Sequence, residues 1–360
     1  MSGFKRILII NPFGIGDVLF TTPVLRAIKT AFPDSFIGYW CNARTEELLR
    51  SNPHIDKIFA LSRGDLKKIY KKSFWQGLKE SLRLASDIKK EHFNISLDFS
   101  LDYRYSLISK FIGIKKRAGF NYKGRGRFLT DRIDIVAYAQ KHIVEYYLEL
   151  LDFLGIAPQG KDLELIASES GKKEAEKILS AYGVSSQDLL IGIAPGGGQS
   201  WGKDASLKRW PELKFKELAE EIGKRLNVKI ALLGDKAEAA LTATISALPA
   251  GKAIDLGGKL SLGGLISVID RASLLIANDG GPLHIAVALG KKTVSFFGPV
   301  DPNVYGPYPP DANKHIVLTR DLECRPCYRN FRLGICKRGQ ECLERIDVQK
   351  AGNAAASLLK

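Results

Sequence analysis

No apolar run in this 360-residue chain approaches the roughly 20 residues that a membrane-spanning helix requires, because charge, Gly or Pro interrupts each one. The N-terminus MSGFKRILII runs straight into a strand-like segment and lacks a cleavable signal pattern. Tandem repeats and low-complexity segments are also missing. These absences predict an ordinary soluble, cytosolic chain with room for two domains of usual size. Acidic charge is in short supply: 39 Asp and Glu face 54 Lys and Arg, for a formal charge of +15. That excess suggests an acidic partner, whether nucleic acid, an anionic membrane surface or a phosphorylated substrate, although a plain solvated basic surface has the same composition.

What the chain does have is a βα rhythm. KRILII precedes DVLFTTPVLRAIKTAF, SFIGYW precedes ARTEELLR, IDKIFAL precedes a basic helical stretch around Phe74 to Lys90, and NISLDFS precedes YSLISKFIG. After a helix expected in HIVEYYLELLDFLG and the segment DLELIAS, the rhythm restarts with LLIGIAPGGG and continues through KTVSFFG. The pattern predicts an α/β protein of two units, each a mostly parallel sheet covered by helices, joined near residues 155 to 185. A final amphipathic helix is expected from Leu343 to Lys360. Each unit opens with a short buried strand and a Gly-containing turn, and ligands of such sheets bind at the carboxyl ends of the strands.

The first turn, NPFGIGDVLFTT, fails as a dinucleotide fingerprint because Leu19 stands where the third glycine belongs. It also lacks the Gly-Lys-Ser/Thr ending of a P-loop. Its distinctive residue is Asp17, behind Gly14 and Gly16. A carboxylate in the first turn of a helix interacts favourably with the helix dipole, by about 0.3 to 1 kcal/mol, and that alone could explain it. The same carboxylate, ionised at the carboxyl end of a strand, could also take a proton from a substrate hydroxyl.

In the second unit, IANDGGPLHIAVALG places Asp279, Gly280, Gly281 and His284 between a buried strand and a helix. Glycines there allow close backbone approach, and the N–H groups of a helix start favour an anion. A simple strand-to-helix turn with a capping Asp is the plainer alternative. Upstream, PGGGQSWGKDASLKRWP is Gly-rich and then basic, with Gly197, Gly198, Lys203, Lys208 and Arg209. Such a loop can wrap a diphosphate, or it can be a flexible solvated loop.

Taken together and in this order, GIGDVLFTTPVLRAI, KRWP, NDGGPLHIAVALGKKTVSFFG and the cysteine-bearing tail resemble the heptosyltransferases of glycosyltransferase family nine, which add heptose to the lipopolysaccharide inner core. The resemblance implies a GT-B architecture of two Rossmann-like, doubly wound domains facing across a cleft. It also implies an acceptor-binding domain at 1–170, a nucleotide-sugar domain at 171–342 and a C-terminal helix at 343–360. By that resemblance Asp17 is the general base and Lys208 contacts the donor diphosphate. Asp279, Gly280, Gly281 and His284 hold the diphosphate, with Gly280 standing where many members have Thr. Glu238 is expected to meet the ribose, with Asp235 as competitor. The implied reaction is inverting transfer from an ADP-sugar donor to a lipid A-linked acidic sugar, with no metal required because the protein supplies the positive potential.

The stretch KKRAGFNYKGRGRFLTDR, with Lys115, Lys116, Arg117, Lys123, Arg125 and Arg127, suits an acidic acceptor and an anionic inner-membrane face, or is simply a solvated loop. A nucleic-acid module would need more aromatic platforms there than Phe120, Tyr122 and Phe128, and it would leave both Gly-rich turns without a role. The four cysteines Cys324, Cys327, Cys336 and Cys342 open with metal-like spacing and continue irregularly. Reduced packing thiols and a structural zinc-type site are both open readings.

Overall fold

The fully buried run Ile7, Leu8, Ile9, Ile10 lies within strand β1 (Arg6–Asn11), flanked by parallel partners on both sides. A strand covered on both faces needs no polar alternation, and each such side chain contributes about 1.5–3 kcal/mol on burial. The computed structural model describes residues 5–246 and 253–360. They form two compact units, 1–164 and 165–360.

The first unit continues from β1 through α1 (Ile15–Leu19), α2 (Thr22–Ala31), β2 (Phe36–Cys41), β3 (Lys57–Ala60), α3 (Arg63–Lys72), α4 (Phe74–Lys89), β4 (Ile95–Asp98), α5 (Tyr103–Phe111), β5 (Lys116–Tyr122), β6 (Asp131–Ile135) and α6 (Ile143–Glu149). Its six strands are all parallel, in the order β3-β2-β1-β4-β5-β6. One face packs Leu8, Ile10, Trp40 and Phe59 against Ile88, Phe93, Tyr105 and Ile114.

The second unit comprises α7 (Glu169–Ala181), β7 (Leu190–Ala194), α8 (Glu212–Arg225), β8 (Lys229–Leu232), α9 (Ala239–Ser246), β9 (Ala253–Asp255), α10 (Leu262–Arg271), β10 (Leu274–Asn278), α11 (Gly281–Ala288), β11 (Lys292–Phe296), α12 (Pro302–Tyr305), β12 (His315–Leu318), a small hairpin of β13 (Tyr328–Arg329) and β14 (Arg332–Leu333), α13 (Glu341–Glu344) and α14 (Val348–Leu359). Its order, β12-β11-β10-β7-β8-β9, is the same doubly wound topology read from the other edge. In each unit the winding reverses beside the first strand, between β1 and β4 and between β7 and β10. That reversal is where ligands of such sheets bind.

Local differences from the sequence expectation have physical causes. The segment 17–32 is two helices, not one, because Pro23 sits in the first turn of α2 and cannot continue the hydrogen bonding of α1. Residues 43–48, expected as a helix, are a short 3-10 turn capped by Asn42. The tail also breaks in two, since Asp347 caps α14 anew after α13. The end of the helix expected over KAEAALTATISAL lies outside the described residues. Helix α14 buries Val348, Ala351, Ala355 and Leu358 in the core of the second unit, alongside Trp210, Phe215 and Phe296.

Candidate functional site

The carboxyl ends of three adjacent strands gather the candidate residues of the first unit. After β1, Asn11 turns the chain: its side-chain amide donates to the Asp17 carbonyl at 2.9 Å, and its Oδ1 accepts from the Phe13 N–H at 3.2 Å. This fixes the Gly14 to Gly16 turn and sets half-buried Asp17 in the first turn of α1, where the Gly14 N–H donates to Asp17 Oδ2 at 3.2 Å. Behind it, Thr21 Oγ1 lies 2.8 Å from the buried Tyr39 hydroxyl and donates to the Val18 carbonyl, anchoring the junction of α1 and α2.

On the neighbouring strand, Asp98 stands opposite Ile10 and is 5% exposed. It accepts from the Ser100 N–H at 2.9 Å, and burial pushes its carboxyl up to about 7. Sequence reasoning did not single it out. Its only signal is an Asp ending an otherwise apolar strand, ISLD.

The turn after β5 carries exposed Lys123, Arg125 and Arg127. Lys123 and Arg125 lie over the Tyr122 ring at 5.0 and 5.6 Å, and Arg127 over Tyr103 at 4.3 Å. Arg117 lies near the start of β5, about 20 Å from Lys123 at strand rise, and the chain after the turn runs back to it at Phe128 and Thr130. Its guanidinium donates to the carbonyls of Phe128, Ile114 and Lys115 and thus ties the returning segment to the start of β5. Lys116 likewise donates to the Phe153 carbonyl at 2.6 Å. A cavity of about 350 Å³ bounded by Ile88, Phe93 and Ile112 also opens at the amino ends of β4 and β5, away from the reversal point.

In the second unit the reversal point holds a buried ion pair. Lys208 and Asp279 form an ion pair at 2.7 Å with their side chains 8% and 7% exposed, and the Lys208 ammonium lies 4.6 Å from the centre of the Trp201 ring. His284 Nε2 is 4.0 Å from Asp279 Oδ1. Burial holds the imidazole down at about 4, so it is neutral at pH 7. Gly280 is fully extended, with φ 177°, and Gly281 opens α11 with Pro282 in its first turn.

The loop after β7 closes over this centre. A side chain at Gly197 would collide with the Ala205 carbonyl, and one at Gly196 with the Glu238 carboxylate, while Gly198 adopts φ 76°. Glu238, 9% exposed, sits beneath that loop, accepts from the Gly198 N–H at 3.4 Å and lies 3.6 Å from Arg209. Burial, reinforced by Asp235, raises its carboxyl above the ordinary range. Asp235 Oδ1 accepts from the Ala237 and Glu238 N–H groups. The side chain of Lys203 lies outside the described residues.

Asn278, also absent from the sequence reading, ties these pieces together. Its amide donates to the carbonyls of Pro195 at 2.7 Å and Gly196 at 3.2 Å, and its Oδ1 accepts from the Trp210 N–H at 2.9 Å. Trp210 in turn stacks on Phe296 at 4.2 Å and donates through Nε1 to the Ile346 carbonyl. The Gly-rich loop and the Lys208 segment are thereby both fixed to the end of β10. A signal was available, since both β1 and β10 end in Asn just before their Gly-containing turns.

The four C-terminal cysteines lie near one another: burial raises the Cys327 thiol, and Cys324, Cys342 and Cys336 push it further up. Among the described residues, no group of three or more His, Cys, Asp or Glu side chains is arranged to hold a metal ion. The Cys327 thiol donates to the Cys324 carbonyl at 3.1 Å, Cys336 Sγ accepts from the Gln340 N–H, and Cys342 is buried in the core. Among the described residues, no helix is long and apolar enough to cross a membrane.

Known proteins resemble this chain in sequence and fold. The family model of glycosyltransferase family 9 (heptosyltransferase) matches residues 81–333. Lipopolysaccharide heptosyltransferase 2 of Salmonella typhimurium is 25% identical over 323 residues, 87% of each chain. The crystal structure of a family 9 glycosyl transferase from Veillonella parvula has a TM-score of 0.84 at 26% identity, covering 100% of this chain and 98% of that one. The E. coli ADP-heptose lipopolysaccharide heptosyltransferase II has a TM-score of 0.77 at 22% identity over 98% of both chains, a likeness of fold. Two parallel six-stranded sheets with helices on their faces make the fold GT-B-like. Since the family model covers more than half of the sequence, the chain belongs to glycosyltransferase family 9 and is a glycosyltransferase.

Proposed function

We propose that the chain transfers heptose from ADP-heptose to the Kdo/heptose inner core of lipopolysaccharide, with inversion at the anomeric carbon. The observation that carries this reading is the contrast between the two reversal points. The second unit offers a buried ammonium, a Gly-rich loop and a helix start, which suit a diphosphate. The first offers a carboxylate at a strand end, with an exposed basic turn two strands away in the same sheet, which suits an acidic sugar with a reactive hydroxyl.

In this reading Asp17 accepts the proton of the acceptor hydroxyl as its oxygen attacks the anomeric carbon. The bond from that carbon to the diphosphate breaks, and ADP leaves with its charge stabilised by Lys208 and the N–H groups at the start of α11. Asp279 compensates Lys208 when no phosphate is present and shares it when one is. Neutral His284 adds a polar wall without competing charge. Gly197 and Gly198 let the backbone of the loop approach the diphosphate, and Glu238 orders that loop from beneath by accepting from the Gly198 N–H. No metal is required, because Lys208 and the helix start supply the positive potential. Lys123, Arg125 and Arg127 hold the acidic groups of the acceptor, at the cytoplasmic face of the inner membrane.

The test is turnover of ADP-heptose with Kdo-lipid A and with its heptosylated product, with the new linkage read by mass spectrometry and NMR. Transfer to one of the two with an inverted anomeric centre is the expected result. Failure with both acceptors, alongside transfer from another nucleotide-sugar, would overturn the donor assignment.

A further inference from the structure

The crossover from β3 to β4 is a helical hairpin, α3 and α4, whose tip is turned outward. Helix α4, 16 residues and about 24 Å long, must deliver the chain to the amino end of β4, so its first turn lies toward the carboxyl edge of the sheet, the edge of Asp17 and the 123–127 turn. Its second half is anchored, with Leu84 and Ile88 packed against the core of the first unit. Its first turn is not: Phe74 is 60% exposed and Trp75 76%.

This tip is nonetheless a built element. Ser73 caps α4 by accepting from the Gln76 N–H at 3.3 Å. The Tyr70 ring fills the space that a side chain at Gly77 would need, and its hydroxyl lies 3.0 Å from Ser81 Oγ. Phe74 stands between Tyr70 and Trp75, with ring centres 5.9 and 5.7 Å away. The aromatic pair is thus displayed on an ordered turn.

Charge surrounds it. From Arg63 to Lys90 the sequence has nine Lys and Arg against three acids, a net of +6 in 28 residues. Lys67, Lys68, Lys71 and Lys72 are all exposed and recur at helical spacing along α3.

We propose that the α3–α4 hairpin docks the enzyme on an anionic lipid bilayer, with Phe74 and Trp75 seated among the headgroups and the α3 lysines against the lipid phosphates. The composition favours lipid over a protein partner. Protein interfaces are depleted in Lys, whereas aromatic rings flanked by Lys are what a bilayer interface retains. A protruding tip also suits a deformable surface better than a preformed groove. The inference goes beyond the heptosyl-transfer reading and uses none of its residues.

The test is flotation of the full chain with vesicles of phosphatidylethanolamine and phosphatidylglycerol, compared with phosphatidylcholine alone. The wild type is expected to float with the anionic vesicles only. The F74S/W75S and K71Q/K72Q variants should each bind about tenfold more weakly or worse, with unchanged thermal unfolding midpoints. Quenching of tryptophan fluorescence by brominated lipid should be present in the wild type and lost in W75F. A wild type that does not float would give the hairpin to a protein partner and overturn the proposal. So would tip variants that float as the wild type does while a K123Q/R125Q/R127Q variant does not. Because the readout is partition and not turnover, its failure is distinct from failure of the transfer reaction.

Discussion

Lys208 and Asp279 meet at 2.7 Å across the reversal point of the second unit, from segments 71 positions apart, with both side chains almost fully buried. An ammonium in such a place must be compensated, and Asp279 does so from the start of the α11 turn. The pair therefore maintains a positive group where a diphosphate would need one, at a desolvation cost that the unliganded protein can sustain.

Lys208→Ala is expected to weaken ADP binding by about tenfold or more and to lower kcat as well, because the same charge meets the leaving group in ground and transition states. It also leaves Asp279 buried without its partner, a loss of about 3–5 kcal/mol by the usual cost of breaking a buried pair. Lys208→Met combined with Asp279→Leu should restore most of that stability without restoring ADP binding. Calorimetry of ADP and urea denaturation of both variants separate the two effects; unchanged ADP affinity in Lys208→Ala would transfer the role to Arg209 or Lys203.

Asn278→Ala removes three hydrogen bonds and leaves the Trp210 N–H and the Pro195 and Gly196 carbonyls without their side-chain partner. At about 1 kcal/mol per bond, a destabilisation of about 2–4 kcal/mol is expected. ADP affinity should fall with it, although Asn278 acts only through the loop and the Lys208 segment. Full ADP affinity in a folded Asn278→Ala protein would show that the loop holds its shape without this residue.

The pH dependence of stability has a defined sign at two buried groups. Asp98 titrates near 7 in the fold, above its ordinary value of 3.8, so the folded state retains a proton that the unfolded chain has lost. Its contribution is present at low pH and is lost as pH rises from about 4 to 7, at most about 4 kcal/mol in all. His284 is held down at about 4, so its contribution is present above about 6.5 and is lost as pH falls toward 4. Asp98→Asn should flatten the decline toward neutral pH, and His284→Gln the decline toward acid, both read from urea midpoints across pH 4 to 8. A curve unchanged by Asp98→Asn would mean that its carboxyl is ionised in the fold.

Neutralising Lys123, Arg125 and Arg127 together should raise the acceptor KM and leave the donor titration alone. Added salt should reproduce the change in the wild type, since exposed charges are screened over about 8 Å at physiological ionic strength. A donor-side defect with an intact acceptor KM would put the acceptor on another surface. If neither parameter moved, the turn would be a solvated loop.

The alternation of apolar runs and amphipathic stretches was enough to foresee two mostly parallel sheets covered by helices, and the Gly-containing turns marked the strand ends that lie at both reversal points. The finer structure depends on contacts between residues far apart in sequence. Strands β5 and β6 are hidden inside a stretch dense in Lys, Arg and Gly, and they form because β4 offers an edge to pair with. Helix α3 has the weak apolar pattern of a helix that buries little, and it is ordered through Tyr70 against α4. Asn278 looks like any residue at a strand end until its three partners, 68 to 83 positions away, are seen around it. Arg117 looks like part of the basic turn in sequence, yet its guanidinium is taken up by the carbonyls of Ile114, Lys115 and Phe128.

The most direct test of the division of labour between the two units is to measure turnover and ADP affinity side by side in Asp17→Asn. The substitution retains the shape of the turn, and the Gly14 N–H still has an oxygen to donate to, while the proton acceptor is removed. The account predicts that kcat falls by about 10² to 10⁴ while ADP affinity stays within about twofold of the wild type, because the donor is held by the other unit. Near-normal kcat in this variant would contradict it and remove Asp17 from the chemistry.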